Sequence, residues 1–406
     1  MKSVLRGSSA LVGVGLTTGA FTMGAFVPGA VAEEPISLTV GGFFREAYMV
    51  VLDDDQFGEP GDDRAEDGFF NDAEIHFKGR TVLDNGLEVG ARVELEGESE
   101  DAEGGDQIDE AWVYFSGGWG EIRVGSEDDA LATSCLLPPG GTANFSAFSP
   151  NQWGANAFSP ISNAACEGVD LRSDAQKILY ITPSFYGFQL TLSYTPDPLA
   201  ERHTDGAGPH LGMTSKQFGV SNYNAAAYLT YAYQGRGWGV NWGGGISFEG
   251  ETKDFEDFFD DNFEERDYYQ TALTVNVGRF SVGGVIEYYN DIFNTESGFL
   301  GFESKSEHDA WVAGGGVSYL HNAWTFGAQY SYRKDIFDFT SDGDNDHTVE
   351  IQQRAVVTVN YDLGPGIAID GEVGYTWRDE DPENESFFTD DDYQGLEIGI
   401  GTNLRF

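Results

Sequence analysis

The side chains best placed to act on a solute here are charged ones that recur at every second position. In Glu74-Ile-His-Phe-Lys-Gly-Arg80 and in Leu87-Glu-Val-Gly-Ala-Arg-Val-Glu-Leu-Glu96, ionisable residues alternate with apolar or small ones. A spacing of two places such residues on one face of an extended strand. A row of fixed cations and anions makes and breaks no bonds; it attracts, repels and orders ions by its field. It also reads as a ladder of cross-strand ion pairs filling a wall. Covalent chemistry finds little support. No G-x-S-x-G, zinc-ligand pair or P-loop pattern occurs, and the six histidines are dispersed. With no nucleophile–base pair to name, an enzyme is not expected. Oxygen-rich acidic runs suit Ca²⁺ as a possible structural ion, the best being Asp342-Gly-Asp-Asn-Asp346 with Asp342, Asp344 and Asp346 as candidate ligands. The glutamate eight residues beyond Asp342 misses the twelfth position that a helix–loop–helix calcium site needs, so solvated loops are the plainer reading. No other cofactor is expected.

The balance of charge narrows the partners. The chain has 22 Lys+Arg against 68 Asp+Glu, a formal net charge of −46. That excludes nucleic acid, which needs a basic surface. Two explanations for the acidity stay open: preference for cations at an opening, or solvation in a salty habitat where fields are screened. The chain begins with Lys2 and Arg6, a small apolar stretch from Ala10 to Val27, and Ala30-Val31-Ala32 before Glu33. This is the pattern of a secretory signal peptide over 1–32, followed by a single domain over 33–406. Export makes a disulfide the default for the two cysteines, Cys135 and Cys166.

The elements that carry these residues are strands. Ala73, Ile75, Phe77 and Gly79 share one face, and Glu74, His76, Lys78 and Arg80 the other. Asp84-Asn85-Gly86 then makes a tight hairpin. An alternating strand whose polar face is this charged fits a transmembrane barrel, with apolar residues toward lipid and charged ones toward the lumen. Further strands are predicted over 37–52, 108–116, 120–126, 176–183, 187–195, 224–234, 238–249, 268–277, 280–289, 309–320, 324–334, 348–362, 367–378 and 393–406. Short turns alternate with long acidic loops over 53–68, 97–107, 127–175, 196–223, 250–267, 290–308, 335–347 and 379–392. Such sorting is what an even-stranded, up-and-down antiparallel barrel produces, here sixteen-stranded with both termini on the turn side. Aromatics gather at strand ends, as rings at headgroup level do.

The chain ends Gly395-Leu-Glu-Ile-Gly-Ile-Gly-Thr-Asn-Leu-Arg-Phe406, with an alternating apolar face and a terminal aromatic. This resembles the closing strand of bacterial outer-membrane barrels. Ile36-Ser-Leu-Thr-Val-Gly-Gly-Phe-Phe-Arg45 is similar to the first strand of Gram-negative general porins. Phe69–Glu88 resembles their second hairpin, and Asp109–Ser126 their fourth and fifth strands leading into the third loop. The likeness is strongest over 36–126 and 393–406.

The resemblance implies a homotrimer in the outer membrane, with periplasmic termini and contacts to lipid and lipopolysaccharide. It also implies a third loop, here about 127–175, folded into the barrel opposite a cluster of wall cations. On that pattern the wall candidates are Arg45, His76, Lys78, Arg80, Arg92 and Arg123. The loop candidates are Glu127, Asp128, Asp129, Asp170 and Asp174. Opposed charges would set a transverse field across a constriction. The Cys135–Cys166 pair and the length of the loop depart from the family pattern. Phe145, Phe148, Trp153 and Phe158 in its uncharged middle either line a slide for rings or pack the loop on the wall. The implied function is passive diffusion of small hydrophilic solutes and ions, with cations preferred. A substrate-specific channel is the alternative, and an acidic surface β-protein or barrel enzyme a remote one.

Overall fold

The hairpin at Asp84-Asn85-Gly86 shows how locally the strands are specified. Gly86 takes a φ of 80°, which L side chains rarely adopt. The Asn85 side chain accepts from the Leu87 amide at 3.0 Å, and the chain reverses within three residues. A computed structural model describes residues 35–53, 67–97, 108–148, 175–196, 222–251, 266–290, 295–299, 302–341, 344–380 and 393–406. The expected signal segment 1–32 lies outside them.

Seventeen strands occur among the described residues. They are β1 (Ser37–Asp53), β2 (Asp67–Val82), β3 (Glu88–Glu96), β4 (Ile108–Gly117), β5 (Gly120–Ser126), β6 (Gln176–Ile181), β7 (Phe188–Thr195), β8 (Asn222–Gln234) and β9 (Trp238–Glu251). The others are β10 (Arg266–Val277), β11 (Phe280–Asn290), β12 (Thr295–Phe299), β13 (Phe302–His321), β14 (Trp324–Ser341), β15 (Asp344–Gly364), β16 (Ile367–Glu380) and β17 (Tyr393–Arg405). One short helix, α1 (Ala130–Ser134), follows β5. Every pairing is antiparallel. The wall closes where β1 pairs with both β2 and β17, from Phe43↔Arg405 to Asp53↔Gly395. The terminal Phe406 exchanges two backbone hydrogen bonds with Gly42, both 3.2 Å, so the last residue helps seal the seam.

β12 is not part of the wall. It pairs with β13 alone, while β11 passes beside it to pair directly with β13. Sixteen strands therefore form the barrel, as the sorting of loops predicts. Two expected loops are corrected. Residues 290–308 include β12 and the start of β13. Most of 335–347 is strand, with β14 and β15 paired as far as Ser341↔Asp344. Asp and Gly there read as loop, but pairing across an established hairpin carries both strands on through it.

The two faces of the wall differ as a barrel in lipid requires. On the outside, Val357 is 62% exposed and Ile400 59%; on the inside, Glu397 is 0% and Glu372 4%. Phe185, Trp238, Phe280 and Trp324 are exposed beside the short turns and form a girdle at that end. No helix among the described residues is long and apolar enough to cross a membrane; the crossing is done by strands.

Candidate functional site

The third loop begins at Glu127, and its described part, 127–148, lies against the buried polar face of the wall. Asp129 caps α1: one carboxylate oxygen accepts from the amides of Leu131 and Ala132 at 2.7 and 3.0 Å, and the other from Ser247 Oγ at 3.3 Å. α1 rests against β7, β8 and β9. The Ala130 amide donates to Ser193 Oγ at 2.9 Å, and Ser134 shares a 2.7 Å hydrogen bond with Thr191. The chain then travels round the inside of the barrel. Gln329 on β14 grips it from both ends of its amide. Its oxygen accepts from Ser146 Oγ and the Ala147 amide, and its nitrogen donates to the Pro138 carbonyl at 2.9 Å. Thr358 on β15 donates to the Gly140 carbonyl at 2.6 Å. Farther on, Asn144 donates to Asp370 on β16 at 2.8 Å, and Phe145 packs with Ala47 and Met49 of β1.

At several points the track under this segment is glycine. A methyl group on Gly316 would overlap the Pro139 carbonyl oxygen, and one on Gly327 the Gly140 carbonyl oxygen. At Gly399 it would come within 2.6 Å of the Phe145 ring. The loop backbone thus lies directly on the wall backbone, and its position is set by close packing. Phe145 and Phe148 are buried in this contact, which excludes them from a slide for solutes. Trp153 and Phe158 lie outside the described residues.

The predicted wall cations stand on the other arc, on β1, β2, β3 and β5, which residues 127–148 leave largely uncovered. Most are already paired. Arg45 meets Asp72 at 2.9 Å and Arg80 meets Glu88 at 2.7 Å. Arg92 contacts Glu94. Arg123 pairs with Glu121 at 2.7 Å and with Glu127, and its guanidinium lies 4.5 Å from the Trp112 ring centre. His76 Nε2 sits 2.6 Å from Glu74 and 2.9 Å from Glu94. Lys78 is exposed, lies 5.6 Å from the Tyr114 ring centre, and alone of the six has no carboxylate partner among the described residues. Among the described residues, five of the six predicted wall cations belong to ion pairs, and Lys78 does not.

On the loop side, Glu127 is 3% exposed and Asp129 0%, so neither lines open water; Asp128 is half-buried. Burial pushes the Glu127 carboxyl up to about 7, outweighing the pull of Arg123. Asp170 and Asp174 lie outside the described residues. So does Asp342, while Asp344 and Asp346 fall at the start of β15. Cys135 is in a disulfide, and Cys166 lies outside the described residues.

Several residues that matter here carry no obvious sequence signal. Lys177 on β6 is buried and donates to the Glu127 carbonyl, fixing the point where the loop leaves the wall. Arg354 on β15 is buried between Glu372 at 3.0 Å and Glu397 at 2.6 Å. The glycines could have been noticed: Gly314 and Gly316, and Gly399 and Gly401, recur at i and i+2 on the inward face.

A profile of Gram-negative porins matches residues 18–381. An anion-selective porin from Comamonas acidovorans shares the fold with a TM-score of 0.53 at 16% identity, over 92% of this chain and 100% of that one. A loop L8 deletion mutant of OmpT, an outer-membrane protein of Vibrio cholerae, aligns with a TM-score of 0.55 at 12% identity, over the same shares. The in-vitro folded OmpT of Vibrio cholerae in its trimer form aligns with a TM-score of 0.52 at 12% identity, again over 92% and 100%. No curated protein matches the sequence significantly.

Proposed function

The chain belongs to the Gram-negative porin family, and from that premise we propose that it is a general diffusion channel that prefers cations. A porin of the outer membrane forms a water-filled passage through its barrel; the finer reading concerns what passes. The observation that carries it is the distribution of charge inside. Five of the six predicted wall cations are paired with neighbouring carboxylates, and Lys78 alone of the six has no such partner among the described residues. Over the whole chain, acids exceed bases by 46. An ion crossing this passage meets a field of net negative sign, which concentrates cations and repels anions. The anion-selective relative from Comamonas acidovorans has the same barrel, so the fold does not set the sign of selectivity; the lining does.

A substrate-specific channel would need a built binding surface; of the four aromatics that could supply one, Phe145 and Phe148 are buried against the wall, and Trp153 and Phe158 lie outside the described residues. We read the protein as a homotrimer with periplasmic termini, by likeness to its family and to the trimeric OmpT form. Planar-bilayer recording tests the main reading. Purified protein should insert as open channels in steps of three, and reversal potentials in a KCl gradient should favour K⁺. Absence of open channels would overturn the pore, and a potential favouring Cl⁻ would overturn the cation preference alone.

A further inference from the structure

The geometry points to a binding site for a divalent transition-metal ion, such as Zn²⁺, formed by Glu74, His76 and Glu94 on the lumen wall. His76 and Glu94 stand directly opposite each other in the β2–β3 register, and Glu74 is two residues from His76 on the same face. Both carboxylates converge on one ring nitrogen, His76 Nε2, at 2.6 and 2.9 Å. That nitrogen carries at most one proton, so two acceptors compete for a single donor. A metal ion placed between the three atoms satisfies all of them, since Zn²⁺ takes imidazole nitrogen and carboxylate oxygen at about 2.0–2.2 Å. The donor atoms already lie within 4.8 Å of one another, before any adjustment of side chains.

Further carboxylates stand beside the three ligands, and Glu74 is directly opposite Glu96 in the register. Glu96 and Asp109 add two carboxylates, with oxygens within 4.8 Å of each other and of Glu74. The imidazole decides the class of ion: carboxylates alone suit Mg²⁺ and Ca²⁺, whereas a nitrogen donor favours Zn²⁺, Ni²⁺ or Cu²⁺. Glu94 is buried and anchors the site, while His76 and Glu74 are about one-fifth exposed and reachable from the passage.

Arg92 sits on the opposite edge of the ring. Its Nη2 is 3.2 Å from His76 Nδ1 and its Nε contacts Glu94. A metal on Nε2 places the ring proton on Nδ1, facing this guanidinium, so Arg92 must swing aside when the ion binds. Arg92 therefore weakens the site, and a residue that accepts a hydrogen bond from Nδ1 would strengthen it.

This inference deepens the pore reading, because the site faces the same passage. Two measurements keep them separable. Calorimetric titration of detergent-purified protein with ZnCl₂ should show one ion per chain, with none in His76→Ala or Glu74→Gln. In bilayers, micromolar ZnCl₂ should reduce the current reversibly, MgCl₂ at equal concentration should not, and His76→Ala should lose the effect. Arg92→Gln should bind Zn²⁺ roughly tenfold more tightly. Each variant must show the heat-modifiable gel mobility of a folded barrel, and two positions guard against a variant that does not fold. Zn²⁺ binding that survives in the folded His76 and Glu74 variants, or no binding to the native chain, overturns the site. Failure to form channels with intact Zn²⁺ binding overturns the pore reading and leaves the site standing.

Discussion

The barrel has two inner arcs made by the same alternating strands and used in opposite ways. From β7 round to β17, with its edge on β1, the lumen face is covered by residues 127–148 and reads as an interior: glycine, buried Gln329 and the enclosed Arg354. From β2 to β5 it carries ion pairs with one partner or both open to the passage, and Lys78, which has no carboxylate partner among the described residues. One arc sets the position of the loop by close packing; the other sets the sign of the field. The difference teaches that bore and selectivity are adjustable separately, because they rest on different strands.

The sharpest way to break the covered arc is at Arg354. Replacing it with Met leaves Glu372 and Glu397 buried without their shared partner, and breaking a buried ion pair costs roughly 3–5 kcal/mol. The folded, heat-modifiable gel band should then melt at markedly lower temperature. Next in size is Gly327→Ala, where the methyl overlaps the loop carbonyl. Overpacking there costs about 1–3 kcal/mol and pushes the loop into the passage. Single-channel conductance should fall while the K⁺ to Cl⁻ ratio stays near the native value; a change in the ratio instead would show that the arcs are not independent. On the other arc, Lys78→Glu should do the reverse. A unit charge about 4 Å from an ion in water is worth roughly 1 kcal/mol, so this reversal of two units is worth roughly 2 kcal/mol, or about thirtyfold in preference. Reversal potentials should move toward K⁺ with little change in conductance.

The smallest effect is one of pH. Burial holds the Glu127 carboxyl up at about 7, so it is mostly protonated at pH 6 and mostly charged at pH 8. Its neutral form is the one the folded state favours. The stability it contributes is present at low pH and lost as pH rises through about 7. The same rise adds a negative charge beside Arg123, so preference for K⁺ should increase modestly between pH 6 and 8. Glu127→Gln should flatten that slope.

The strands were legible because each carries its own evidence: alternation over 73–80 and 87–96, and turn residues that reverse the chain at once, as at Gly86. The sixteen-strand count followed from the sorting of loops. The continuation of β14 and β15 through 335–347 was not legible, since local composition favours a loop and only the partner strand makes it a ladder. Alternation put the six wall cations on the polar face of their strands, but gave none of their partners. Which carboxylate each meets depends on register, as with His76 opposite Glu94. Asp129 looked like a loop acid facing water because nothing in its sequence announces that a five-residue helix begins behind it.

The glycine track has a consequence for inheritance. A bore defined by absent methyl groups narrows in one step and widens only through several compensating ones, because the loop and wall backbones already touch at Gly316 and Gly327. Every glycine codon lies one base from an alanine codon. A population exposed to a toxic solute that enters through this channel therefore has a short mutational path to slower uptake. Selection for such resistance should recover substitutions along the track before any along the charged arc, leaving the ionic character of the channel intact while its throughput falls.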